Sequence, residues 1–215
     1  MDGQAKTRRR RGRPSSEDHV ISREALLDAA LKLFGELGYE GVSIRDFARR
    51  TGVSHGLVSA RFGSKELLWR AAVDRGMRGL LSWVEKPARD NSPEERLRAA
   101  ATNVLMALWA NPAVLQLANY EGTRDTERLA YIVASEPVLR ILDRFGEIIG
   151  AGVALRLFRE TSPVLFFLLL AHGGGAVLCL KPLARQRGLL PEGSAAEAER
   201  HAGAIADMLI RGIRR

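Results

Sequence analysis

The 215-residue chain holds a single cysteine, Cys179, which excludes an intrachain disulfide and any zinc site built on several thiolates. A reducing cytoplasm fits that usage. Its four histidines, His19, His55, His172 and His201, stand far apart, and none has metal-ligand spacing. The sequence lacks a Gly-x-Ser-x-Gly elbow, a Walker loop, a dinucleotide fingerprint and a His-Glu-x-x-His pair. Gly173-Gly174-Gly175 lies in an apolar run with neither a preceding strand nor a nearby lysine, so it makes no phosphate cradle. The expectation is a protein that is not an enzyme and holds no metal or cofactor. The basic N-terminus is followed by no apolar h-region, which argues against a secretory signal. Sustained period-two alternation is missing as well, and an all-α fold is expected.

What is present centres on Ser43 to Phe62. Ser43 and Asp46 form a capping-box-like start. Ile44, Phe47, Ala48 and Thr51 then recur at spacings of three and four, leaving Arg45, Asp46, Arg49 and Arg50 to point elsewhere. Gly52 stops this helix, and Ser54 caps a second one in which Leu57, Val58 and Phe62 share a face. Two short helices across a Gly-containing turn of about three residues are the sequence form of a helix-turn-helix. The outer face of the second carries His55, Gly56, Ser59, Ala60 and Arg61, small or polar groups that suit a major groove about 12 Å wide. With Ser54 at the helix start, these are the candidate DNA contacts. A helical hairpin inside an all-α core is the alternative reading of this stretch alone.

The charge agrees with a polyanionic partner. Residues 1–14 carry six basic side chains and one acidic, whereas residues 15–75 carry nine of each, so most of the net +8 sits in a tail. Neutralised phosphates release counterions and add affinity whatever the sequence. Arg11-Gly12-Arg13-Pro14 resembles the core of an AT-hook, so Arg11 and Arg13 are candidates for a narrow minor groove. Diffuse phosphate contact by a solvated tail is the other reading.

Before the central stretch, Ser22 to Gly38 reads as an amphipathic helix with Leu26, Leu27, Ala30, Leu31, Phe34 and Leu37 on one stripe. After it, Gly63 and Ser64 open a long helix that carries Leu67, Leu68, Ala71, Ala72, Met77, Leu80, Leu81 and Val84 towards Glu85. This reads as a connector whose tilt sets the position of the second short helix, with Lys65 placed to touch a phosphate.

Phe34-Gly35-Glu36-Leu37-Gly38-Tyr39, Val42 to Ala48, Gly52-Val53-Ser54 and Phe62 to Leu68 together resemble the DNA-binding domain of the tetracycline-repressor (TetR) family, over about residues 22–70. The resemblance implies an all-α homodimer with one recognition helix per subunit and a divergent C-terminal domain that binds a small molecule. It places Arg45 where members read a base and Lys65 where a lysine meets the backbone. His55, Ser59 and Arg61 depart from the family's lysine and aromatic residues, and Arg61 is left to supply a phosphate or base contact. The expected division is a basic arm over 1–19, the helix-turn-helix domain over 20–70, and a ligand-binding and dimerisation domain over 71–215.

In that third part, Pro93-Glu94-Glu95 opens a helix carrying Leu97 to Trp109. Further helical patterns run over about 113–121, 124–134, 137–159, 162–180 and 195–213. Val164 to Leu180 holds no charge and approaches transmembrane length, but His172 and the glycines interrupt it. A buried helix is expected there, with no membrane span. Phe166 to Leu170, with Ala204, Ile205, Met208 and Leu209, would make the dimer face of the last two long helices. Candidate ligand contacts are Trp83, Met106, Trp109, Tyr120, Phe145, Phe158, Phe167 and His172, which favour a small apolar or aromatic effector. Glu121 reads either as a solvated helix end or as the partner of a cationic group.

The expected function is that of a sequence-specific, DNA-binding transcriptional regulator released from a pseudo-palindromic operator by its effector. Two alternatives stay open: an architectural DNA-binding protein without an effector, and a helical small-molecule-binding module whose helix-turn-helix is structural.

Overall fold

Hydroxyl side chains open most of the helices. Ser22, Ser43, Ser54, Ser64, Ser92, Thr126, Ser162 and Ser194 each accept the backbone N–H three residues on, satisfying one of the donors that a helix start leaves orphaned. In the computed structural model, which describes residues 21–189 and 194–215, the helices in chain order are α1 (Arg23–Leu37), α2 (Ile44–Thr51), α3 (His55–Phe62), α4 (Lys65–Val84), α5 (Pro93–Ala110), α6 (Pro112–Gly122), α7 (Glu127–Val133), α8 (Glu136–Ala154), α9 (Pro163–Leu168), α10 (Ala176–Cys179), α11 (Lys181–Gln186) and α12 (Ala195–Ile213). Among the described residues there is no strand, only an isolated bridge between Phe158 and Arg214. The arm that carries Arg11 and Arg13 lies outside the described residues.

The first three helices form as their sequence pattern dictates. Leu26, Leu27, Ala30, Leu31 and Phe34 of α1 are buried, joined by Leu33, while Leu37 at the helix end is 41% exposed and leaves the expected stripe. Gly52 ends α2 at φ +70°, a left-handed conformation that costs glycine nothing. Helix α1 then packs on both α4 and α6, so one apolar core runs from Leu26 through Leu68, Val104 and Phe145 to Ile210. The boundary expected at residue 70 falls inside α4. Gly38 permits the closest of these approaches, because a Cβ there would lie 1.8 Å from Cζ of Tyr120 on α6.

Behind this head, α5 packs against α4, α8 and α12. Arg98 of α5 donates to Asp207 of α12 at 2.8 Å. Two helices end sooner than their patterns predict. Helix α8 stops at Ala154 rather than continuing to 159, because Arg156 turns the chain at φ 58° and Phe158 folds back onto Gly152, where a Cβ would sit 2.0 Å from the ring. The run expected as one helix over 162–180 divides into α9, a π-helical turn over Leu169–Gly174, and α10. Two of its three glycines, Gly174 and Gly175, serve packing within the chain, while a Cβ on Gly173 would meet nothing within 4 Å. A Cβ on Gly174 would meet Ile205 at 2.8 Å, and one on Gly175 would meet Leu115 at 2.6 Å. Among the described residues no helix is long and apolar enough to cross a membrane.

Candidate nucleic-acid interface and core cavity

Helix α3 is held from behind and left open in front. Val58 and Phe62 are buried, Val53 packs against the core, and Leu57 is half-buried. His55, Gly56 and Ala60 are exposed. A Cβ at Gly56 would find nothing within 4 Å, so nothing inside the chain requires glycine there, although glycine weakens a helix by about 1 kcal/mol relative to alanine. Ser54 Oγ accepts the Leu57 N–H at 3.1 Å, which leaves its hydroxyl proton available at the positive end of the helix dipole. Ser59 is half-buried on the same helix.

The cations around α3 have differing tasks. Arg45 and Arg50 of α2 are exposed. Arg49 pairs with Asp46 at 3.0 Å, and that bond, followed by the one from Ser43, holds the Asp46 carboxyl below the usual carboxylate range. Arg61 donates to the Ile21 carbonyl at 2.8 Å, so it ties the end of α3 to the start of α1. Lys65 Nζ lies 4.1 Å from the centre of the Tyr39 ring and 3.9 Å from Glu40. At the first turn of α4 it is only 25% exposed along its side chain.

Tyr39 is a junction that periodicity does not reveal. It stacks with Phe34 at 6.0 Å between centroids and meets Trp69 edge-on at 6.2 Å. Trp69, fully buried, touches Tyr131 of α7. The Tyr131 hydroxyl donates to Asp74 of α4 at 2.8 Å. Burial, with that hydrogen bond second, pushes the Tyr131 phenol up to about 12. The head is thereby joined to α7 through aromatic side chains.

Beyond this junction lies a cavity of about 440 Å³, within the size range of small-molecule sites. Met77 and Leu80 of α4 line one side, Leu115 and Asn119 of α6 another, Ile132 of α7 and Ile141 of α8 a third. Phe167, Ala171 and the exposed His172 line it from α9 and the π turn, an irregularity often found at functional sites. Of the expected ligand contacts, Phe167 and His172 are brought together here, and the others are placed elsewhere. Trp83 lies under the Lys86 ammonium, 3.1 Å away. Met106 packs on the core, and Trp109 lines a separate void of about 20 Å³ beside His201. Tyr120 fills the space over Gly38, Phe145 packs on Phe166 and Phe167, and Phe158 is locked onto Gly152. Large aromatic rings were drawn into the core because they bury the most apolar area.

Two further expectations are corrected. Glu121 is neither a solvated end nor aimed at the cavity: it is 1% exposed and bonded to Arg128 and Thr126 at 3.3 Å. Phe166 and Leu170 are buried in their own chain, because the helix presents its other side outwards. Leu168, Leu169 and Met208 of the expected dimer face stay exposed, Met208 at 64%, and Val164 and Leu165 are exposed with them.

Residues 26–72, spanning α1 to the middle of α4, match the family model described as bacterial regulatory proteins, tetR family. The HTH-type transcriptional repressor ComR of Escherichia coli is 45% identical over 65 residues, 30% of this chain and 29% of ComR. The HTH-type transcriptional regulator BetI of Serratia proteamaculans is 31% identical over 128 residues, 48% of this chain and 63% of BetI. The matches thus span less than two thirds of these relatives. The fold is similar across nearly the whole length to a TetR family transcriptional regulator, PfmR of Thermus thermophilus, with a TM-score of 0.67, 25% identity, and coverage of 90% of this chain and 98% of that one. Helix-turn-helix, connector and helical C-terminal part thus agree in resembling the tetR family of bacterial regulatory proteins, by sequence over residues 26–72 and by fold over 90% of the chain.

Proposed function

We propose that the chain is a cytoplasmic, homodimeric transcriptional repressor released from DNA by a small apolar effector. The observation that carries this reading is the reach of α4. It begins at Lys65 beside α3 and lines the cavity at Met77 and Leu80, about 22 Å further along at 1.5 Å per residue. A ligand in the cavity therefore presses on the same rigid helix that positions the recognition helix.

The exposed row of Val164, Leu165, Leu168 and Leu169, with Met208 of α12 also exposed, supplies an apolar face for a second copy. Two α3 helices held about 34 Å apart then fit successive major grooves of a pseudo-palindrome. Arg45, His55 and Gly56 face the bases, Ser54, Ser59 and Lys65 the phosphates, and the arm with Arg11 and Arg13 adds affinity. An effector that binds better to a dimer of altered spacing shifts the population away from DNA by its differential affinity. The test is Arg45→Ala on the selected operator and on scrambled duplex. The reading predicts a larger loss on the operator, and equal losses would remove Arg45 from base recognition.

A further inference from the structure

Among the described residues the cavity's lining is almost wholly apolar and carries no fixed charge. The nearest buried carboxylate, Glu121, is taken by Arg128 and Thr126 and does not line it. Among the described residues Phe167 is the one phenyl, phenol or indole ring on the wall, whereas a quaternary ammonium is held by a cage of several aromatic rings. The polar groups are Asn119, Thr123 and His172. Thr123 is engaged locally: its hydroxyl donates to the Tyr120 carbonyl at 3.2 Å and accepts from Arg124 at 3.3 Å.

His172 differs. Its Nδ1 lies 2.5 Å from Oδ1 of Asn119. With the Asn119 amide oxygen assigned to face it and able only to accept, the matching tautomer carries its proton on Nδ1 and leaves a lone pair on Nε2 of the neutral ring. Burial holds the imidazole below its ordinary value, so the neutral ring is the working form near pH 7. Among the described residues the site thus offers one acceptor, on an exposed side chain at the margin of an apolar wall. It matches a ligand donor, repels a carboxylate, and gives a cation no counter-charge.

We infer that the effector is an uncharged, largely apolar molecule with a single hydroxyl, which donates to Nε2 of His172. This rests on the reading of the cavity as the effector site. The test uses one ring skeleton with different heads: 1-naphthol, 1-methoxynaphthalene, naphthalene, 1-naphthoate and 1-naphthyltrimethylammonium, each titrated calorimetrically into the full-length protein at neutral pH.

A net hydrogen bond predicts that 1-naphthol binds roughly three- to tenfold tighter than 1-methoxynaphthalene, with both ions weaker than naphthalene. In His172→Phe the preference for the hydroxyl disappears while naphthalene still binds. His172→Gln, which keeps an acceptor, restores part of it, and thermal melts followed by circular dichroism verify that both variants fold. Equal affinity for the naphthol and its ether, or a preference for either ion, overturns the inference and leaves the cavity as a ligand site. Failure of every probe to bind overturns that reading as well.

Discussion

The Arg128 guanidinium sits 4.3 Å from the centre of the Tyr39 ring and joins the buried Glu121 at 3.3 Å. Arg128 opens α7, whose Leu129 and Ile132 line the cavity, while Tyr39 precedes α2 and also holds Lys65. The cavity therefore reaches the head by a second route beside α4. Removing Arg128 strands the Glu121 carboxylate. Arg128→Met is expected to cost about 2–3 kcal/mol, short of the roughly 3–5 for a wholly buried pair, measured by urea unfolding. Glu121→Gln in the same chain should recover most of it, and losses that simply add would contradict the pairing.

Gly56 separates stability from binding. Gly56→Ala should stabilise the protein by up to about 1 kcal/mol, since α3 gains helix propensity and meets no clash. Its operator affinity should fall, because the added methyl occupies space reserved for DNA. Unchanged affinity in a binding titration would show that α3 does not approach the duplex at this point.

Alkaline stability reports on the aromatic junction. The Tyr131 phenol is raised to about 12 in the folded chain, against about 10 when unfolded. Its neutral form is favoured by folding, so its contribution is complete below about pH 10 and is lost as pH rises through about 12. The stability difference between the protein and Tyr131→Phe should shrink across that window in denaturant unfolding. A constant difference would mean that Tyr131 is not held neutral by its surroundings.

The exposed face of α9 predicts the assembly. Leu165→Glu with Leu168→Glu should leave the helical content intact, since both side chains are about half exposed, and should give a monomer by sedimentation equilibrium. Operator affinity should fall with it. A variant that remains dimeric would place the mate on another surface.

The head was largely legible because its signals are local. Ser43, Ser54 and Ser64 cap as read, Gly52 takes the positive φ required of it, and Phe47, Ala48, Val58 and Phe62 are buried. Local signals failed further on. The end of α8 is decided by Phe158 reaching Gly152 and Arg214, and the path of 162–180 by Gly174 and Gly175 packing on Ile205 and Leu115. Apart from Phe158 on Gly152, six residues away, those contacts join residues far apart in the chain. The same applies to the cavity: Phe167 and His172 were anticipated, but Met77, Asn119 and Ile132 are ordinary core-type or polar residues until the fold sets them around one space. Tyr39 gave no periodic signal, since one aromatic residue in a short link has no period, and it entered only as the end of the motif Phe34 to Tyr39 that resembles the family.

The most direct measurement is selection of bound fragments from a random-sequence duplex pool by the full-length protein, followed by titration of the winner and scrambled DNA across salt concentrations. The account predicts a palindromic winner with half-sites about one helical turn apart, preferred by about a thousandfold or more. Enrichment without a motif, with the same steep salt dependence on both duplexes, would contradict sequence-specific regulation and leave only binding to the backbone.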